Sequence, residues 1–173
     1  TRNMADTYWG YIVFNETATP ASFDVEGNYT AGSVIENAVI EYAGGSDVTN
    51  DGAIRLLEAY PYLNKNTIRY SGAQGIRYTD NECNTGGGTL KILDSSIHNN
   101  AEEGIRVYGG ACYDINLVIN GNEINTNDDG GSYIFGYLTA ELDGNRIESN
   151  GFNPGGADGQ TNNVEWYIEI CVQ

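Results

Sequence analysis

Arg55, Arg77 and Arg106 each follow an isoleucine (Ile54, Ile76, Ile105) that stands just after a glycine (Gly52, Gly75, Gly104). A fourth marker of this kind, Gly131 with Ile134, leads into Phe135. If these isoleucines face inward on short strands, strand alternation turns the following residue outward. Two residues further on, again outward, come Leu57, Thr79, Tyr108 and Tyr137. Arginines in register beside tyrosines suit an acidic sugar chain. A guanidinium forks a carboxylate, and a phenol ring offers a flat apolar face to a pyranose. Arg55, Arg77, Arg106, Tyr108 and Tyr137 are therefore the candidate ligand-binding residues. Like charges on neighbouring strands, ~4.8 Å apart, also need an anion close by. Asp80, Glu82, Glu102 and Glu103 lie near enough in sequence to supply one internally.

A second pattern points to a hard cation. Asp47-x-Thr49-x-Asp51-Gly52 and Asn125-x-Asn127-x-Asp129-Gly130 both place oxygen ligands at alternate positions ahead of a glycine, as the opening of a calcium loop does. They also fall where isoleucine spacing lengthens. Fourteen residues separate Ile40 from Ile54 and ten separate Ile124 from Ile134, against eight elsewhere. Calcium is the cofactor these six positions would hold. Asp, Asn and Gly are equally ordinary turn residues. Glu58 occupies the place of the bidentate acid that closes such a loop in the first match, and Gly136 in the second.

Other chemistries find little support. His98 is the single histidine and falls at an outward position equivalent to Glu41, Arg69, Asn125 and Glu148, which reads as a solvated face. No serine–histidine–aspartate set, zinc-ligand spacing or phosphate loop is present. Asn15-Glu-Thr17 and Asn28-Tyr-Thr30 fit the N-glycosylation acceptor pattern, a match that an asparagine-rich chain also meets by chance.

Composition narrows the classes further. The net charge is −16, from 24 acidic and 8 basic residues, and this argues against nucleic acid and anionic membrane as partners. Apolar residues come in short β-branched runs that never reach the length of a membrane span. The opening Thr1-Arg-Asn, with no initiator methionine or signal segment, reads as a processed end or as part of a longer chain.

The elements that must carry these residues follow from a repeat. Ile35/Ile40, Leu63/Ile68, Ile92/Ile97, Ile119/Ile124 and Leu142/Ile147 share the form apolar-x4-Ile, and their leading members are 28, 29, 27 and 23 residues apart. Such a period indicates stacked units that bury their apolar faces only against each other. Residues 89–107 show three short apolar segments per unit: Leu90-Lys-Ile92, Ser96-Ile97-His98 and Gly104-Ile105-Arg106-Val107. Ala43, Ser71, Asn100, Asn127 and Asn150 form one small-polar column, and Ala38, Asn66, Ser95, Asn122 and Asn145 another. These serve to satisfy backbone groups at the bends. Cys83 and Cys112 lie one repeat apart, each seven residues after its Gly-Ile marker. Adjacent coils would bring them within disulfide range, and a buried thiol stack is the alternative. Cys171 is left over. A disulfide would imply an oxidising compartment.

The repeat, its Asn/Ser columns and its Gly-Ile strand starts resemble right-handed parallel β-helix proteins of the pectate-lyase-like superfamily. The blocks Trp9-Gly-Tyr-Ile-Val-Phe14 and Tyr29-Thr-Ala-Gly-Ser-Val-Ile-Glu-Asn-Ala-Val-Ile-Glu-Tyr-Ala-Gly-Gly45 are similar to segments of large secreted bacterial β-helix repeat proteins. The resemblance spans roughly residues 9–150 and implies an all-β, right-handed parallel β-helix solenoid. We expect about five to six coils with three short strands each, in a single domain over 1–173, with a loop at 151–163 and a final strand at 164–172.

Members of that superfamily include lyases, hydrolases and passive surface modules. Its lyases pair acidic calcium ligands with a basic proton abstractor, which Arg77 or Arg106 with Asp80 would imitate. It also implies a capping helix over the first coil; none precedes Trp9, so open ends would pair with other chains. Two functions are expected. The first is a secreted, non-catalytic module of a cell-surface, adhesive or filament-forming assembly, extracellular or at the cell surface. It would bind polysaccharide or, through its solenoid ends, other protein chains. The alternative is a carbohydrate-active lyase, epimerase or hydrolase acting on acidic polysaccharide.

Overall fold

The computed structural model describes residues 8–45, 52–80, 87–109, 115–136, 138–151 and, for the backbone alone, 166–170. The chain opens with β1 (Ile12–Phe14) and a small hairpin, β2 (Ser22–Phe23) and β3 (Tyr29–Ala31). Five rungs of three strands follow. They are β4 (Val34–Glu36), β5 (Val39–Glu41), β6 (Gly52–Leu57); β7 (Tyr62–Asn64), β8 (Thr67–Arg69), β9 (Gln74–Thr79); β10 (Thr89–Leu93), β11 (Ser96–His98), β12 (Glu103–Tyr108); β13 (Ile115–Asn120), β14 (Glu123–Asn125), β15 (Gly130–Gly136); and β16 (Leu138–Glu141), β17 (Arg146–Glu148), β18 (Trp166–Ile170).

Corresponding strands pair in parallel and build three walls. Wall I holds β4, β7, β10, β13 and β16, and wall II holds β5, β8, β11, β14 and β17. Wall III adds β1 ahead of β6, β9, β12, β15 and β18. The described residues include no helix, and so none long and apolar enough to cross a membrane.

From β4 to β16 the winding makes four full turns, slightly fewer than the five to six coils that the spacing suggests. The difference lies at the start. Residues between β1 and β4 do not wind as a rung; they fold into the antiparallel hairpin, so β1 extends wall III alone. The Asp24 carboxylate shapes that hairpin turn by accepting hydrogen bonds from the backbone of Glu26 and Asn28. Phe23 and Tyr29 then pack against Tyr62 at 5.6 and 5.5 Å between ring centres, and Lys91 Nζ sits 3.8 Å from the Phe23 ring centre.

The core consists of apolar columns one rung deep. Ile40, Ile68, Ile97, Ile124 and Ile147 stand in register along wall II, and Ile35, Leu63, Ile92 and Ile119 along wall I. Ile68, Ile97 and Ile124 are completely buried. Each such side chain gives about 1.5–3 kcal/mol on burial.

The bends between walls I and II, and between II and III, repeat one conformation. Asn37, Lys65, Asp94, Gly121 and Gly144 adopt left-handed φ at the first bend, and Tyr42, Tyr70, Asn99, Thr126 and Ser149 at the second. Left-handed non-glycine residues cost about 1–3 kcal/mol each unless the surroundings over-determine them. At most of these bends an asparagine or serine of the following rung supplies that determination. Asn66 Oδ1 accepts the Ala38 N–H at 3.0 Å, and its Nδ2 donates to the Ile35 carbonyl at 2.9 Å. Asn100, Asn127 and Asn150 accept the N–H of Ser71, Asn100 and Asn127 in the same way, at 3.0, 3.2 and 3.0 Å. Sharp corners therefore persist without orphaned backbone groups.

Candidate functional site: the arginine column of wall III

Wall III carries Val13, Arg55, Arg77, Arg106 and Tyr133 side by side on its outer face, in register over five strands. The inward neighbours Ile54, Ile76 and Ile105 are buried, which fixes the arginines outward. Three of the chain's eight basic residues are thus stacked on one face of a strongly acidic protein.

Each arginine has a different setting. The Arg55 guanidinium lies 5.5 Å from the Tyr11 ring centre, its buried Nε has no hydrogen-bond partner, and it forms no ion pair among the described residues. Arg77 Nε donates to Thr79 Oγ1 at 3.3 Å. Burial, then the like charge of Arg106, hold the Arg77 pKa below the usual arginine value; Glu103 and Glu102 oppose this, and Arg55 adds to it. Arg106 Nη1 pairs with Glu103 Oε1 at 2.8 Å, and its guanidinium covers Tyr133 at 4.8 Å.

A polar cluster borders the column where the wall begins. Gln74, almost fully buried, donates from Nε2 to Glu103 Oε2 at 3.2 Å and to Glu102 Oε2. Burial pushes the Glu102 carboxyl up, and the negative charges of Glu103 and Asp129 push the same way against Arg106 and Arg77. The cations on the other two walls have close partners. Arg69 pairs with Glu41 at 2.9 Å, Arg146 pairs with Glu148 at 2.6 Å and Glu123 at 3.2 Å, and Lys91 Nζ donates to the hairpin carbonyl of Gly27 at 3.1 Å.

The fourth rung corrects the register read from the Gly-Ile markers. Ser132, not Ile134, stands beside Ile105, and Ile134 stands beside Val107. Tyr133 therefore adjoins Arg106, and Phe135 adjoins Tyr108, with their rings stacked at 5.3 Å and 21°. One face of Tyr108 is thus taken by Phe135. The shift also removes the apparent lengthening of the second calcium-like turn. Eight residues separate Ile124 from Ser132, as they separate Ile97 from Ile105; the extra length belongs to the seven-residue strand β15.

The second set of candidate metal ligands does not converge. Asn125 lies on the outer face of wall II, accepting from Thr126 Oγ1 and donating to Glu123. Asn127 is fully buried in the bend ladder, its Oδ1 already taken by the Asn100 backbone and amide. Asp129 acts on Glu102 instead. Asp47, Thr49 and Asp51 of the first set lie outside the described residues, as do Tyr137 and the cysteines Cys83, Cys112 and Cys171. Among the described residues no group of three or more His, Cys, Asp or Glu side chains is placed to hold a metal.

Asp80, the acid considered with Arg77 and Arg106 for lyase chemistry, is buried just past β9. It contributes there to raising the Tyr78 phenol pKa, behind burial and the Tyr60 hydroxyl. Of the two acceptor asparagines, Asn15 is exposed and its Oδ1 accepts from Thr17 Oγ1 at 2.7 Å; the Asn28 amide is engaged by Asp24 at 3.0 Å. His98 stands outward between Arg69 and Asn125.

The site residues that sequence reasoning missed are Gln74, Tyr11 and Tyr133. Gln74 and Glu103 share one register place, 29 residues apart, so their pairing was readable from the repeat. Tyr133 becomes visible only when the fourth rung is aligned on its Asn127 ladder and not on isoleucine.

Three parallel walls wound from one chain, with a cationic column projecting from successive rungs of one of them, define a parallel β-solenoid. The chain belongs to the right-handed β-helix family, whose right handed beta helix region matches residues 10–165. No curated protein and no solved structure gives a significant match.

Proposed function

We propose that this protein is a non-catalytic β-helix module, extracellular or at the cell surface, whose wall III binds carboxylate-bearing polysaccharide. The observation that carries the reading is Arg55, beside Arg77 and in register with it, a half-buried cation with no ion pair among the described residues. A bound carboxylate relieves the repulsion along the column and would be forked by the terminal nitrogens of the guanidinium. Tyr11 and the half-exposed Tyr108 add apolar ring surface beside it. Stacking of the module on other protein chains, with calcium held by Asp47, Thr49 and Asp51, is a compatible part of this proposal.

Titration calorimetry with oligogalacturonate tests the reading. Binding that weakens with salt, and at least about fivefold on Arg55→Ala, is expected, because a half-buried arginine–carboxylate contact is stronger than an exposed one. No binding to galacturonate, mannuronate or guluronate oligomers overturns it. The alternative, an enzyme on acidic polysaccharide, draws on the Glu102 carboxyl, whose raised pKa beside Arg77 suits a proton donor. Release of unsaturated or shortened products on long incubation decides for that alternative.

A further inference from the structure

Two segments carry the Asn-x-Thr acceptor pattern, and the fold treats them differently. Asn15-Glu16-Thr17 follows β1, the edge strand of wall III. All three residues are exposed, and the Ala18 N–H donates back to the Asn15 carbonyl at 2.9 Å to close the turn. Asn15 Oδ1 accepts from the Thr17 N–H at 3.2 Å and from Thr17 Oγ1 at 2.7 Å. Both bonds fall on the oxygen. The Asn15 side-chain nitrogen donates to no group among the described residues.

Asn28-Tyr29-Thr30 leads from the hairpin turn into β3. Asn28 is exposed as well, but its Nδ2 donates to Asp24 Oδ2 at 3.0 Å and its backbone N–H to Asp24 Oδ1 at 2.8 Å. These two bonds, the side-chain one first, hold the Asp24 pKa below the usual aspartate value. The acceptor is therefore a charged carboxylate at neutral pH, and such hydrogen bonds are about twice as strong as neutral ones. Thr30 Oγ1 is spent on the Ser22 carbonyl across the hairpin, at 3.0 Å. In the second pattern both the nitrogen and the hydroxyl are already engaged.

We infer that Asn15, and not Asn28, is a glycosylation site of the folded protein, taking an oligosaccharide from a polyprenyl-diphosphate donor. This rests on the extracellular reading above, because the transferases that use such donors act on exported chains. In the transfer, Asn15 Nδ2 forms a C–N bond to the anomeric carbon of the first sugar. The bond from that carbon to the diphosphate oxygen breaks, and the diphosphate leaves with the electron pair. One amide proton passes to a carboxylate base of the transferase, and nothing is oxidised or reduced. An acceptor nitrogen that is already bonded to a carboxylate must first give up that bond. Asn15 avoids this cost and Asn28 does not. The bulk of a sugar chain also needs an exposed turn, and residues 15–17 lie outside the apolar columns.

The test uses the purified, folded protein with an oligosaccharyltransferase that reads Asn-x-Ser/Thr alone and a polyprenyl-diphosphate oligosaccharide. Peptide mass mapping reads each asparagine separately. Initial modification of Asn15 is expected to exceed that of Asn28 about tenfold, the equivalent of one charge-assisted hydrogen bond. Asn15→Gln removes nearly all of the product. Asp24→Ala frees the Asn28 amide and is expected to raise its modification about threefold or more, leaving Asn15 within about twofold. A protein on which neither asparagine is modified overturns the inference. So does one on which Asn28 matches or exceeds Asn15, or an Asp24→Ala protein with no gain at Asn28. Uronate binding does not enter this assay, so the reading of wall III stands or falls separately.

Discussion

Asn127 Oδ1 accepts the backbone N–H of Asn100, one rung earlier, at 3.2 Å, while Asn127 Nδ2 donates to the Ile97 carbonyl at 3.2 Å. A single amide thus ties together two residues of the preceding rung, one on each side of a left-handed bend residue, Asn99.

Asn127→Ala leaves the buried Asn100 N–H without its partner and takes one of the donors from the Ile97 carbonyl, which stays in the strand ladder. A destabilisation of about 1–3 kcal/mol is expected, the cost of one orphaned buried group. Asn127→Ser is expected to cost about half as much, because a hydroxyl keeps the acceptor, as Ser95 Oγ does for the Asn66 N–H at 3.1 Å. Urea unfolding of the two variants checks the order. Equal losses would show that the bend does not depend on that acceptor.

Ser132 is the weak place in the core. It stands in the Ile54–Ile76–Ile105 column, is buried, and its hydroxyl has no hydrogen-bond partner among the described residues. Ser132→Ala removes an unsatisfied polar group, and a gain of about 1 kcal/mol is expected in urea unfolding. A loss would mean that the hydroxyl is used in a way the column does not explain.

Ser132 also marks where sequence reasoning stops working. Walls I and II were readable because apolar-x4-Ile fixes the spacing of their inward residues across the bend, even though wall I strands run from three to six residues. The two polar columns sit at fixed offsets from that unit, and both prove to be hydrogen-bonded ladders. Wall III varies in strand length from three to seven residues, so its isoleucine is no reliable ruler. There Ile134 moves by one strand period, which keeps it inward while changing its neighbour from Ile105 to Val107. The hairpin was not foreseen either, although Asp24-Val-Glu-Gly27-Asn28 is a recognisable turn once two short strands are placed beside it. The Gln74 contacts with Glu102 and Glu103 depend on side-chain directions at a corner, which no periodicity encodes.

Close packing of rungs gives a third expectation. A Cβ on Gly104 would lie 2.7 Å from Ile124 Cγ2 and 2.8 Å from the Gly131 carbonyl, whereas one on Gly10 meets nothing within 4 Å. Gly104→Ala is expected to cost about 1–3 kcal/mol by overpacking. Gly10→Ala, in open space, is expected to stay within about 0.5 kcal/mol of the wild type. Thermal or urea midpoints separate the two, and a neutral Gly104→Ala would mean that neighbouring rungs can move apart at that corner.

The pH dependence of stability isolates Glu102. Its carboxyl is raised above the ordinary 4.5 by burial, then by Glu103 and Asp129, with Arg106 and Arg77 acting the other way. A raised carboxyl means that the folded state holds the proton more tightly than the unfolded chain does. The resulting contribution favours folding below the unfolded value and is lost as pH rises through the folded one. Glu102→Gln cannot lose a proton, so the variant and the wild type are expected to match in acid. The variant should then become the more stable of the two as the solution passes from about pH 4 to about pH 7, where the wild type must hold a charge beside Glu103. Urea midpoints of both proteins across that range give the difference directly. A wild type that gains on the variant with rising pH would require Arg77 and Arg106 to outweigh burial at this carboxylate, and the cluster would then be an ordinary surface ion-pair network.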